Sequence, residues 1–147
     1  MNSAFRDLAV RRLLVSDRVA AAKFGTGRPI DDPARERQAL ADVRSRAAGI
    51  GLDPESAERF FRDQIAASKV VQRGLLARWR ENPGEAPSCQ PDLTEIRTEI
   101  DQLTRQLLAR LADVDPATPP SSEVDGLDEL HRVALTTALR SVITEPA

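Results

Sequence analysis

A chain of 147 residues is long enough to bury one hydrophobic core and too short to suggest two independent ones. Aromatic residues make up only 3% and Tyr is absent, while Ala, Leu, Val and Ile dominate the apolar content, a palette that favours helices over twisted sheets. The net charge of -2 lacks the basic excess usual for a nucleic-acid binder, and one cysteine, Cys89, with one histidine, His131, leaves no internal disulfide and argues against a metal site.

The first helix is predicted from about Ala4 to Phe24, where Phe5, Leu8, Val15, Val19 and Ala22 recur at the spacings that line one helical face. Its opening residues, MNSAFRDLAVRRLL, carry charges where an export leader needs an apolar core. No apolar run is long enough to span a bilayer, so a soluble chain with no membrane partner is expected. Gly25 and Gly27 end this helix. Asp32-Pro33 then reads as an N-cap followed by proline at the first helical position, opening a second helix through Leu40, Val43 and Ala47 that Gly49 and Gly51 close. Asp53-Pro54 repeats the signal and opens the longest element, a third helix to about Arg80 through Ala57, Phe61, Ile65, Ser68, Gln72, Leu75 and Trp79.

After it, the three prolines and one glycine of ENPGEAPSCQP forbid a continuous helix and predict a surface loop. Asp92 with Glu95 resembles a capping box, and Leu93, Ile96, Ile100, Leu103, Leu107 and Leu111 form the apolar seam of a fourth helix. Beyond the linker DVDPATPPSS, Leu127, Leu130, Ala134 and Ala138 mark a fifth helix over about 123–144, with Ser122 as its cap and Asp125 at the third position. The expected architecture is all-α, a single domain over 1–147, a bundle of about five helices with ligand-binding side chains projecting inward.

Charge is spread unevenly, with 16 basic and 10 acidic residues through Arg80 and 5 and 13 thereafter. The positive half suits a small anion better than nucleic acid, and nineteen of the 21 basic residues are Arg, whose planar fork matches carboxylates. Arg12 and Lys23 lie three turns apart on one face, separated by ~16 Å along the axis, and could grip two ends of one ligand. Ser68 and Gln72 sit one turn apart in the apolar stripe of the third helix, where polar groups need partners. Spacing leaves open whether a neighbouring helix or a ligand supplies them. By spacing alone, Arg35 with Glu36 and the run RSRAAG around Arg44 and Arg46 read as solvated surface. Trp79 reads as a packing residue, and His131 and Cys89 are given no chemical role.

Four segments in order carry a resemblance: RRLLVSDRVAAAKF around Arg12 and Lys23, PIDDPARE around Arg35 and Glu36, GLDPESAERFFRDQIAASKVVQ through Gln72, and DLTEIRTEID around Arg97. Over residues 8–111 they resemble the helical, AroQ-type class of chorismate mutases. The segment LLARWRENPGEAPSCQPDL, followed by a helix bearing an arginine, is similar to the exported subclass, in which one chain contains a complete site. In the short intracellular subclass the partner chain supplies that arginine. HRVALTTALRS resembles the same subclass and implies a C-terminal helix that braces the bundle.

The resemblance implies an isomerase that converts chorismate to prephenate in aromatic amino acid biosynthesis, with no cofactor or metal. It implies that Arg12, Arg35 and Arg97 bind the substrate's two carboxylates, that Lys23 and Gln72 contact its ether oxygen, and that Glu36 holds its hydroxyl. Asp32 and Ser68 fall at neighbouring pocket positions. It also implies a homodimer and a periplasmic or secreted location, with a cytoplasmic one as the other reading because no leader is evident. The chemistry suits this cast: the substrate is a dianion, and its Claisen rearrangement needs neither nucleophile nor base. Two other readings stand beside it, a lyase of the same fold that removes pyruvate from isochorismate and a catalytically silent helical binding module.

Overall fold

The structure is a computed structural model that describes residues 3–88, 91–113 and 124–143. Among these residues there are five α-helices, one short 3-10 turn at Pro83–Glu85 and no strand. The helices are α1 (Ser3–Lys23), α2 (Pro33–Gly49), α3 (Pro54–Glu81), α4 (Leu93–Leu111) and α5 (Glu129–Ile143). Cys89, Ser122 and Thr144 lie outside the described residues. No described helix is long and apolar enough to cross a membrane.

The spine is α3, which packs against α1, α2 and α5. Ala57, Phe60, Phe61, Ala67, Val71, Leu75, Leu76 and Trp79 are all buried along it. Each large side chain among them stabilises the fold by roughly 1.5–3 kcal/mol relative to exposure. Phe60 meets Phe5 of α1 at a centroid distance of 5.2 Å, and Trp79 takes Phe24 edge-on at 5.6 Å, the packing role its position suggested.

On α1 the apolar residues do not share one face. Phe5, Ala9, Leu13 and Ala20 enter the main core, while Val15 and Ala22 join Ile96 and Leu103 of α4 in a second cluster. The helix is buried on two sides because α3 and α4 sandwich it. This placement also brings the polar residues between those sides toward α2 and α3.

The two Asp-Pro starts cap as read. Asp32 accepts the Arg35 N–H at 3.2 Å, and Glu36 returns the favour by accepting the Asp32 N–H at 3.1 Å. Asp53 accepts the Glu55 N–H at 3.4 Å and the Ser56 hydroxyl at 2.8 Å. At α4 the cap is half of the expected box: Asp92 accepts the Thr94 N–H at 2.8 Å, but exposed Glu95 makes no return bond. Between α1 and α2 the chain reverses through Gly25 and Gly27, at φ 76° and 75°, a conformation that a side chain would strain.

The fifth helix begins later than the expected 123. Asp128 is its capping side chain, accepting the His131 N–H at 2.8 Å, so the cap falls nearer the apolar residues than Ser122. Ala134, Leu135, Ala138 and Leu139 are wholly buried against the core, and Gln64 of α3 donates to the Ala138 carbonyl at 2.6 Å. Arg140 pairs with buried Asp63 at 2.7 Å. His131 is buried as well, its Nδ1 2.6 Å from Asp128 and its Nε2 2.7 Å from Asp17 of α1. The run around Arg44 and Arg46 is not free surface: Arg44 pairs with Glu58 at 3.5 Å, and Arg46 ties α2 to Asp101 of α4 at 2.9 Å.

Candidate active site

All eight predicted site residues line one cavity of about 350 Å³. Arg12 and Lys23 reach it from α1, Asp32, Arg35 and Glu36 from the start of α2, Ser68 and Gln72 from α3, and Arg97 from α4. Its size falls at the small end of the roughly 300–1,000 Å³ typical of small-molecule pockets. Val19, Ile30, Ile65 and Ile100 add an apolar wall. Six cationic side chains face two carboxylates there, since Arg28 and Lys69 join the predicted residues. Such a lining attracts an anion.

Inside the cavity a polar chain links α1 to α3. Lys23 donates to Gln72 Oε1 at 3.0 Å, Gln72 Nε2 donates to Ser68 Oγ at 3.0 Å, and buried Ser16 donates to Ser68 Oγ at 2.8 Å. Ser68 and Gln72 thus bond neighbouring side chains and at the same time line the cavity. Burial lowers the Lys23 pKa below the ordinary lysine value; Arg35 lowers it further, while Asp32, Glu36 and Asp31 oppose the shift.

Arg12 is half-buried, with its guanidinium drawn in toward α3. Burial draws its guanidinium down to about 10, and its Nε is buried without a hydrogen-bond partner. Its one side-chain hydrogen bond among the described residues is from Nη1 to the Gln64 carbonyl at 3.4 Å. A buried guanidinium so thinly partnered gains from an incoming carboxylate, which restores the bonds that water would have made. Exposed Arg35 and Arg97 likewise have side chains with no hydrogen bond or ion pair among the described residues.

A second cavity of about 250 Å³ opens on the other side of Arg12, Arg35 and Arg97, toward Asp42, Arg46 and Asp101. Spacing did not single out Ser16, Arg28 or Lys69. Ser16 lies one turn from Arg12 and so shares its face, a signal that was present. Arg28 lies in the α1–α2 connection, where helical spacing says nothing about direction. Among the described residues no group of three His, Cys, Asp or Glu side chains is arranged to hold a metal ion.

The chain is similar to known proteins. The family model for chorismate mutase type II matches residues 2–73, a span that contains every predicted site residue except Arg97. A secreted chorismate mutase of Mycolicibacterium smegmatis is 37% identical, across 92% of this chain and 82% of that protein. One from Mycobacterium tuberculosis is 34% identical, across 92% and 74%. Among solved structures, the chorismate mutase from Burkholderia thailandensis superposes with a TM-score of 0.82 at 37% identity, covering 94% of this chain and 96% of the other. The chorismate mutase from Burkholderia phymatum gives 0.83 at 33% identity, covering 96% and 94%.

Proposed function

We propose, starting from the fact that the chain belongs to the chorismate mutase family, that it converts chorismate to prephenate within its own cavity and without a cofactor. The observation that carries this reading is the Lys23–Gln72 donor pair in the same cavity as Arg12, Arg35 and Arg97.

In the reaction one carbon–oxygen bond breaks as one carbon–carbon bond forms, in a single cyclic movement of electrons that neither adds nor removes an atom. Two tasks remain for the protein. One is to hold the flexible substrate in its compact reactive conformer, for which Arg12, Arg35 and Arg97 bind its carboxylates and Glu36 takes its hydroxyl. The other is to stabilise the negative charge that grows on the ether oxygen, for which Lys23 and Gln72 are the donors. Gln72 already gives one amide proton to Ser68, and its second is free of any described partner. Asp32 holds the first turn of α2, and with it Arg35 and Glu36, in place.

Supply of an intermediate for phenylalanine and tyrosine synthesis follows from that product. Export and pairing of two chains belong to the same proposal. Export is supported by relatives that are named secreted, and pairing by the resemblance together with Leu14 and Val133, large apolar side chains left exposed in α1 and α5. Chorismate and isochorismate offered separately to purified protein test the reaction. Prephenate from chorismate, identified by acid conversion to phenylpyruvate, is the expected product; pyruvate released from isochorismate alone would identify the lyase instead.

A further inference from the structure

Lys69 is one of only two lysines in the chain, and it lines the cavity next to Ser68. Its ammonium bridges two carboxylates that belong to different segments, Asp31 Oδ1 at 2.8 Å and Glu36 Oε1 at 2.9 Å. Asp31 sits in the α1–α2 connection, and Arg73 of α3 holds both of its oxygens as well, at 3.0 and 2.8 Å. Glu36 sits in the first turn of α2, with its other oxygen on the Asp32 N–H. Hydrogen bonds to Asp31 and then Glu36 raise the Lys69 pKa against a smaller effect of burial, so the group is charged throughout the physiological range.

With Oε1 on Lys69 and Oε2 on the Asp32 N–H, both oxygens of Glu36 are fixed, yet each keeps a lone pair that can accept a further bond. Without Lys69, Oε1 has no partner among the described residues. The carboxylate would then turn more freely and lose the cation paired directly with it, in the wall of the cavity proposed to take a dianion. Asp31 would still be held by Arg73, so the connection would keep its anchor.

We propose that Lys69 is a positioning residue that acts through Glu36, fixing the carboxylate that receives the substrate hydroxyl and cancelling its charge in front of the anionic substrate. The inference rests on reading the cavity as the chorismate site. Because Lys69 is bonded to Glu36 rather than to the Lys23–Gln72 pair, its loss falls on KM more than on kcat. Lys69→Gln raises KM about tenfold with kcat within about threefold of the starting value, and Lys69→Arg, which keeps charge and donors, recovers most of the loss.

The test is a double-mutant cycle in kcat/KM over the full chain, Lys69→Gln, Glu36→Gln and the double variant, with melting curves for each. The expected result is that Lys69→Gln costs about tenfold alone and less than about twofold in the Glu36→Gln background. Losses that simply multiply, or a Lys69→Gln variant with unchanged KM, overturn the inference. Lys69→Met, which keeps the side-chain stem, supplies the same cycle if the Gln variant melts early. A starting protein that leaves chorismate unchanged overturns the reading of the reaction instead, and so the two failures are told apart.

Discussion

Lys23 donates to Gln72 Oε1 at 3.0 Å, and because an ammonium has no acceptor, this contact fixes which end of the Gln72 amide is which. The amide nitrogen is thereby turned to Ser68, 3.0 Å away, and α1 is joined to α3 inside the cavity. Neither group needs to change protonation to donate a hydrogen bond at neutral pH.

An amide donates at any ordinary pH, whereas a carboxyl donates only when protonated. Gln72→Glu should therefore make turnover fall as pH rises beyond the carboxyl range of about 4, while the unaltered protein shows no acidic optimum. Lys23 favours the ionised carboxylate, and so moves the loss to lower pH and deepens it at neutral pH. A pH–rate profile of the variant that matches the unaltered protein would refute the role given to Gln72.

Arg97 reaches the cavity from α4 of the same chain that supplies Arg12 and Lys23. Arg97→Ala should lower kcat/KM by about tenfold or more, through loss of a charge-assisted bond to a carboxylate. Mixing it with Lys23→Ala protein should restore nothing, because no exchange of chains assembles an intact site. Recovered activity in the mixture would mean that a partner chain contributes the arginine.

His131 lies between Asp17 and Asp128, and both of its ring nitrogens can donate only when the imidazole is protonated. Burial is the largest single influence and opposes the charge, but the hydrogen bonds and charges of the two aspartates together outweigh it, and the pKa is raised. A raised folded value means that the stabilisation is fully present below the unfolded pKa of about 6.5 and is lost as pH rises through the folded value. Because Asp17 and Asp128 are partly exposed, the contribution is roughly 1–2 kcal/mol rather than that of a sealed ion pair. Melting temperature should decline with pH over that window, and less so in His131→Gln; parallel declines in the two proteins would contradict this brace.

Local signals were legible wherever a few neighbouring residues decide the outcome. Asp32-Pro33 and Asp53-Pro54 cap their helices because the bonds involved span only two to four residues. The candidate site was legible as a set of residue types in order, and the fold brings those eight side chains into one cavity. What periodicity missed was three-dimensional. Arg46 looked like solvated surface, but its partner Asp101 is 55 residues away. Likewise Lys69 meets Asp31 and Glu36 only because α2 folds back along α3. The start of α5 was misplaced because several acidic and hydroxyl residues near it could cap a helix, and only the bond from the His131 N–H selects Asp128.

Loss of chorismate, followed with purified protein and with Lys23→Ala in parallel, tests the proposed catalysis most directly. Prephenate should form with the unaltered protein, and kcat should fall by about a hundred- to a thousand-fold in Lys23→Ala with the fold intact. Equal turnover by the two proteins would contradict the role of the Lys23–Gln72 pair, and no turnover by either would contradict the reaction itself.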